Sequence, residues 1–162
     1  MDLRAEGGAE LIRRLAAEAD VLIENFRPGI MKKFGLAYED LRSMNEKLVM
    51  LSISGFGQEG PESGRAAYAP ILHAESGWLQ RSAEWNQQPV TDLNLSAADT
   101  NASLHGTSGL LAALRVAELT GEGQHIDMCM LDAFLATDDA SHLGLDDVGY
   151  TSAGGLVWEG VG

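Results

Sequence analysis

Leu48-Val49-Met50-Leu51-Ser52-Ile53, running into Ser54-Gly55-Phe56-Gly57-Gln58-Glu59-Gly60-Pro61, is the stretch on which the fold turns. A short apolar run bounded by glycine and proline is the pattern of a strand covered on both faces, as in a parallel sheet. The Gly/Pro loop from Ser54 to Gly64 ends it. Upstream, Val21-Leu22-Ile23 follows Asp20 in the same manner, after an amphipathic helix expected over 9–19 with Leu11, Ile12, Leu15, Ala16 and Ala19 on its apolar face. Asn25 to Arg27 form the loop at that strand's carboxyl end. Pro28 suits the first turn of a short helix to about Phe34, which Gly35 stops. Another short helix begins at Tyr38-Glu39-Asp40-Leu41-Arg42.

Downstream, residues 69–79 are expected to be helical and 82–97 irregular. The longest helix is expected from Asp99 to Leu119, with Leu104, Leu111, Leu114 and Ala117 as its apolar set and Gly121 as its stop. A third strand, His125 to Met130, sets Ile126, Met128 and Met130 against His125, Asp127 and Cys129. A helix to about Leu143 follows, then a glycine-rich tail carrying Trp158. Strands that alternate with helices specify an α/β fold with a largely parallel sheet.

The 162 residues suffice for one domain, or a large piece of one. Hydrophobic residues at 45% and charged residues at 22% are the balance of a soluble globular chain. The net charge of −13 argues against a nucleic-acid surface but leaves room for a phosphorylated small molecule, which needs only a few local cations. No stretch has the length of a membrane span. A single cysteine, Cys129, excludes an intrachain disulfide framework, and a reducing cytoplasm is the expected location.

Six features carry candidate chemistry, each with a plainer reading beside it. Gly55-x-Gly57-x-x-Gly60 follows a strand, but a dinucleotide fingerprint needs a helix opening through the third glycine. Pro61 and Gly64 interrupt any such helix, so the pattern reads as a loop. His73, His105, His125 and His142 lie far apart without metal-ligand spacing, so no metal site is expected, and Cys129 at a strand centre reads as a core thiol. The acidic residues Asp132, Asp138, Asp139, Asp146 and Asp147 read as a solvated face. Asp99 heads the longest helix in Ala98-Asp99-Thr100-Asn101-Ala102-Ser103-Leu104-His105-Gly106. It is either an N-cap or, in the field of the helix dipole, a carboxylate available to attack an activated acyl group. Arg27 either pairs with a surface acid or clamps phosphate at the start of the following helix, near Lys32 and Lys33.

Five blocks in order resemble the class III coenzyme A transferases, the family of formyl-CoA and L-carnitine CoA-transferases and α-methylacyl-CoA racemase. They are Ala19-Asp20-Val21-Leu22-Ile23-Glu24-Asn25-Phe26-Arg27-Pro28-Gly29, Phe34-Gly35-Leu36, Leu51 to Pro61, the helix opening at Asp99, and Thr120-Gly121-Glu122-Gly123-Gln124-His125-Ile126-Asp127. The resemblance implies a partial Rossmann-like parallel sheet with flanking helices, incomplete relative to the family. Residues 1–143 would be a fragment of the large CoA-binding and catalytic domain, and 144–162 an irregular tail. It implies transfer of CoA from an acyl-CoA thioester to a small free carboxylic acid, with CoA as substrate and no tightly bound cofactor.

Carried over by position, Asp99 matches the catalytic aspartate that forms anhydride and aspartyl-thioester intermediates. Asn25, Phe26 and Arg27 match the loop that contacts the CoA nucleotide, with Ile30 and Lys33 on neighbouring contact positions. Phe56 and Tyr68 match positions near the pantetheine arm. A histidine that shuttles a proton stands at the position of Tyr68 in the racemases, so Tyr68 favours transfer over racemisation. Family members are well over twice this length, and Ser103 stands where glycine is common. The expectation is therefore an internal fragment, a truncated product or one part of a split enzyme, inactive by itself unless a complementing chain is supplied. A non-catalytic CoA-binding or assembly module is the alternative. Full-length members form interlocked homodimers, so exposed apolar surface is expected where further segments would pack.

Overall fold

The computed structural model describes residues 2–138. Three parallel strands, β1 (Val21–Glu24), β2 (Val49–Ser54) and β3 (His125–Cys129), lie in the order β1-β2-β3. Val21 pairs with Val49 and Glu24 with Ser52 across the first ladder; Met50 pairs with His125 and Ser54 with Cys129 across the second. Central β2 is buried along nearly its whole length, its two serines included. Edge strand β1 is not: Ile23 is 60% exposed.

Helices cover both faces. On one, α1 (Gly8–Ala16), α2 (Ile30–Lys33) and α3 (Tyr38–Arg42) enclose a core of Ala16, Met31, Leu36, Tyr38, Leu41 and Met50. On the other, α6 (Ala97–Thr120) packs Leu110, Ala113 and Ala117 on Val49 and Leu51. A third cluster joins α4 (Ala69–Glu75), the first turns of α6 and α7 (Met130–Ala136) through Leu72, Ala98, Ala102 and Phe134. Here, and in the third cluster's other partner α5 (Trp78–Asn86), lies the packing that positions the carboxyl ends of the strands.

Several expectations need correction. Leu104 and Leu111 are 63% and 61% exposed; the buried stripe of α6 is Ala98, Ala102, Gly106, Leu110, Ala113 and Ala117. Small residues win this face because the helix lies close to the sheet. A Cβ on Gly106 would stand 3.2 Å from the Leu51 side chain. Leu11 and Leu15 of α1 are likewise exposed. The expected helix over 69–79 is two helices, broken where Gly77 takes φ 73°, and α5 runs into the segment read as irregular. The helix expected from Pro28 starts only at Ile30, behind Gly29 at φ 85°. Met130 opens α7 instead of closing β3. That helix ends at Ala136 with Thr137 as its C-cap, short of the expected Leu143; His142, Asp139, Asp146, Asp147 and the tail 144–162 lie outside the described residues.

Candidate functional site

In an open parallel sheet the strands' carboxyl ends, with the loops that leave them, form the edge where ligands bind. Here β1 leads into Asn25–Pro28 and β2 into the loop that starts at Gly55. Helix α6 brings its amino terminus to the same edge. Its residues 98 and 102 pack near Ile53 and Met130, whereas 113 and 117 pack with Val49, so it runs antiparallel to the strands.

Asp99 sits in the first turn of α6, one residue beyond the fully buried Ala98. Ser96, not Asp99, holds the N-cap position, so the capping reading of Asp99 is displaced. The Asp99 side chain is exposed and makes no hydrogen bond or ion pair among the described residues. Its backbone carbonyl accepts the Ser103 hydroxyl at 2.8 Å. The carboxylate thus stands at the amino end of a 24-residue helix with no side-chain or backbone donor bound to it among the described residues.

Buried beneath that turn is a residue whose role the sequence reading missed. His73 of α4 is 0% exposed and tilts against Phe134 with ring centroids 5.1 Å apart. The Ala98 N–H donates to its Nε2 at 3.3 Å, and its Nδ1 lies 3.0 Å from the Asp92 carboxylate. The signal was present: Ala69, Leu72, His73 and Ser76 follow the i, i+3, i+4, i+7 spacing of a buried helical face. Spacing between histidines, the criterion applied to it, tests only for metals.

Two of the expected residues adjoin the buried cluster beneath the Asp99 turn. Phe56 packs on the cluster that contains Ala98 and Ala102, with the Arg65 guanidinium 4.6 Å above its ring centroid. Tyr68, 74% exposed, is the N-cap residue of α4, directly before the buried Ala69 of that cluster. The Gly57 and Gly60 segment turns at positive φ and no helix opens through it.

The β1 loop is a separate neighbourhood. Buried Glu24 accepts the Phe26 N–H at 2.8 Å, which fixes the loop's first bend. Asn25, Phe26 and Arg27 are exposed beyond it, and Ile30 is half-buried. Arg27, Lys32 and Lys33 have no carboxylate within ion-pair distance among the described residues, so the surface-pairing reading of Arg27 finds no partner. The lysines stand in the last turn of α2, away from its amino end. Arg13 closes that last turn, donating to the carbonyls of Phe34 at 3.0 Å and Gly35 at 3.2 Å. No hydrogen bond or ion pair among the described residues joins this loop to the Asp99 turn. Two surface hollows, one lined by Leu79, Ser82 and Pro89 and one by Glu39, Arg42 and Glu122, include neither Asp99 nor Arg27.

Cys129 closes β3 beside Gly55, and burial pushes its thiol above the ordinary value, against the lowering influence of nearby backbone N–H groups. His125 is held by Ser52 at 2.9 Å and stacks on Tyr38, a structural arrangement. Among the described residues no helix is long and apolar enough to cross a membrane.

The description of CoA-transferase family III matches residues 1–150 of the chain. A succinate–glutarate CoA-transferase of Agrobacterium fabrum is 42% identical over 145 residues, covering 88% of this chain and 36% of that protein. The succinyl-CoA–L-malate CoA-transferase alpha subunit of Chloroflexus aurantiacus is 43% identical over 133 residues, covering 82% of this chain and 31% of that protein. Among solved structures, a CAIB/BAIF family protein from Brucella suis superposes with a TM-score of 0.79 at 36% identity, over 91% of this chain and 38% of that one. The chain thus spans about a third of the length of these curated relatives. Matched along nearly all of its described length in both sequence and fold, the chain belongs to CoA-transferase family III.

Proposed function

We propose that this chain carries the acyl-accepting half of a CoA-transferase site, moving CoA from an acyl-CoA thioester to a small carboxylic acid through Asp99. The observation that carries the reading is the exposed, partnerless Asp99 carboxylate at the amino end of α6, on the carboxyl edge of a parallel sheet. An Asp99 oxygen attacks the thioester carbonyl and the CoA thiolate leaves, giving a mixed anhydride. The thiolate then attacks the aspartyl carbonyl, releasing the donor acid and leaving an aspartyl thioester. The acceptor carboxylate attacks that thioester, the thiolate leaves again, and its attack on the acceptor's acyl carbon yields the new acyl-CoA and free Asp99. Each step exchanges one activated acyl bond for another, so the sequence needs no cofactor.

In this reading Asn25, Phe26 and Arg27 meet the CoA nucleotide, Arg27 as a planar donor for phosphate, with Ile30 and Lys33 beside them. Phe56 and Tyr68 flank the pantetheine arm. Residues 1–143 serve as part of the large domain, assembled as a homodimer or with a complementing chain. Relatives named as alpha and beta subunits of one transferase support the latter arrangement. Isotope exchange between a labelled acyl-CoA and a free acid, in native and Asp99→Asn forms of a full-length family member carrying these residues, tests the reading. Loss of exchange in the variant is expected; undiminished exchange removes Asp99 from the chemistry.

A second reading, a CoA-binding or assembly module without transfer, draws on the separation of the Arg27 loop from the Asp99 turn. It predicts calorimetric CoA binding that Arg27→Ala weakens, with no exchange under any condition. Racemisation has no supporting residue at position 68, where an exposed tyrosine stands.

A further inference from the structure

We infer that His73 is a positioning residue for Asp99: as a buried acceptor it caps the first turn of α6 from below and leaves the carboxylate above free. The inference rests on the reading of Asp99 as the acyl acceptor.

The first turn of any helix has backbone N–H groups with no partner inside the helix. In α6 the first intrahelical bond runs from the Thr100 N–H to the Ser96 carbonyl at 3.0 Å, so the N–H groups of Ala97, Ala98 and Asp99 precede it. Ser96 supplies no side-chain cap. An exposed N–H can turn to water, but Ala98 is 0% exposed, and its N–H needs an acceptor from the protein. An N-cap oxygen ordinarily accepts such an N–H, and Ser96 leaves that role empty. His73 Nε2 fills it by accepting the Ala98 N–H at 3.3 Å, so the turn is capped without the Asp99 oxygens.

The same geometry fixes the imidazole. To accept at Nε2 the neutral ring carries its proton on Nδ1, and that proton points at Asp92 Oδ1, 3.0 Å away. Asp92 Oδ1 also accepts the Leu93 N–H at 2.8 Å, so the carboxylate is tied to the segment that leads into α6. One buried ring therefore grips both the lead-in at residue 92 and the helix at residue 98. Between them these two grips set where α6 starts and where the next side chain, Asp99, projects. Phe134 packs against the ring and keeps water from substituting for it.

Nuclear magnetic resonance on the 162-residue chain tests this without requiring turnover. In the native chain, a long-range nitrogen–proton correlation should place the His73 proton on Nδ1; a proton on Nε2 overturns the inference. In His73→Leu, amide exchange at Ala98 should quicken by about tenfold or more and the Asp99 carboxyl-carbon signal should move, while Leu51 and Ile53 in β2 keep their protection. His73→Gln, whose amide supplies both an acceptor and a donor, should restore both readouts. Unchanged Ala98 exchange in the leucine variant, or a glutamine variant no better than leucine, overturns it. Should the leucine variant fail to fold, Asp92→Ala takes its place: release of the Nδ1 proton's partner should quicken Ala98 exchange, and no change there overturns the inference. Exchange of CoA that survives Asp99→Asn while these signals behave as expected removes Asp99 as the acyl acceptor and leaves the capping role standing.

Discussion

The two halves of the proposed site are built differently. The Asp99 turn rests on the buried residues Ala98, Ala102 and Leu72, with His73 bonded to its backbone from beneath. The Asn25–Arg27 loop hangs from the Glu24 carboxylate by the Phe26 N–H, and its side chains are exposed. A group that reacts must be held before substrate arrives, since misplacement is costly at the bond-making step. A group that binds a long, flexible ligand can be ordered by it. Stability and transfer should therefore be sensitive to changes around Asp99, and affinity to changes around Arg27.

The largest effect should come from Asp99→Asn, which keeps shape and removes the nucleophile. Exchange should fall by about a thousandfold or more, while the thermal midpoint stays put, because the side chain is exposed and partnerless. Next, Ala102→Leu forces three carbons into the cluster of Ala98, Met130 and Phe134. Chemical denaturation should show a loss of about 1–3 kcal/mol, and transfer should fall with it because the Asp99 turn moves. Arg27→Ala should leave stability unaltered and weaken CoA binding about tenfold by calorimetry, the scale of one charge-assisted contact. A variant in which Arg27 costs stability and Ala102 does not would reverse the comparison.

The smallest effect concerns Cys129. Because burial raises its thiol, the reactive thiolate is scarcer in the folded chain than in the unfolded one at any given pH. Alkylation at pH 8 should be slower in the native chain than in urea, and should quicken as pH rises. Equal rates in both states would show the β3 end to be open.

Much of the fold was legible because the strand signals are strong. Val21–Ile23 and Leu48–Ile53 are largely apolar runs and His125–Met130 alternates apolar with polar residues, and all three regions became parallel strands. The facing of α6 was not legible, since leucine spacing pointed to the wrong side. Small residues bury where backbone must approach a sheet, and only the sheet's position against Gly106 decides that. The splitting of α4 from α5 at Gly77 is a backbone event of the same kind. Within the proposed site, the place of Asp99 at a helix entrance was legible, and it lies in the first turn of α6. Its independence from capping was not visible, because the acceptor for the Ala98 N–H, His73, lies 26 positions before Asp99 in the chain. The roles given to Asn25, Phe26, Arg27, Ile30, Lys33, Phe56 and Tyr68 came from resemblance, because loop residues carry no periodicity from which a ligand contact could be read.

Trapping the acyl intermediate tests the central claim most directly. A full-length family member carrying these residues is mixed with acyl-CoA, quenched with hydroxylamine, digested and examined by mass spectrometry. The peptide that contains Asp99 should gain a hydroxamate at that side chain, in proportion to the acyl-CoA supplied. Active transfer with Asp99 unmodified, or with the label on another residue, would contradict the account.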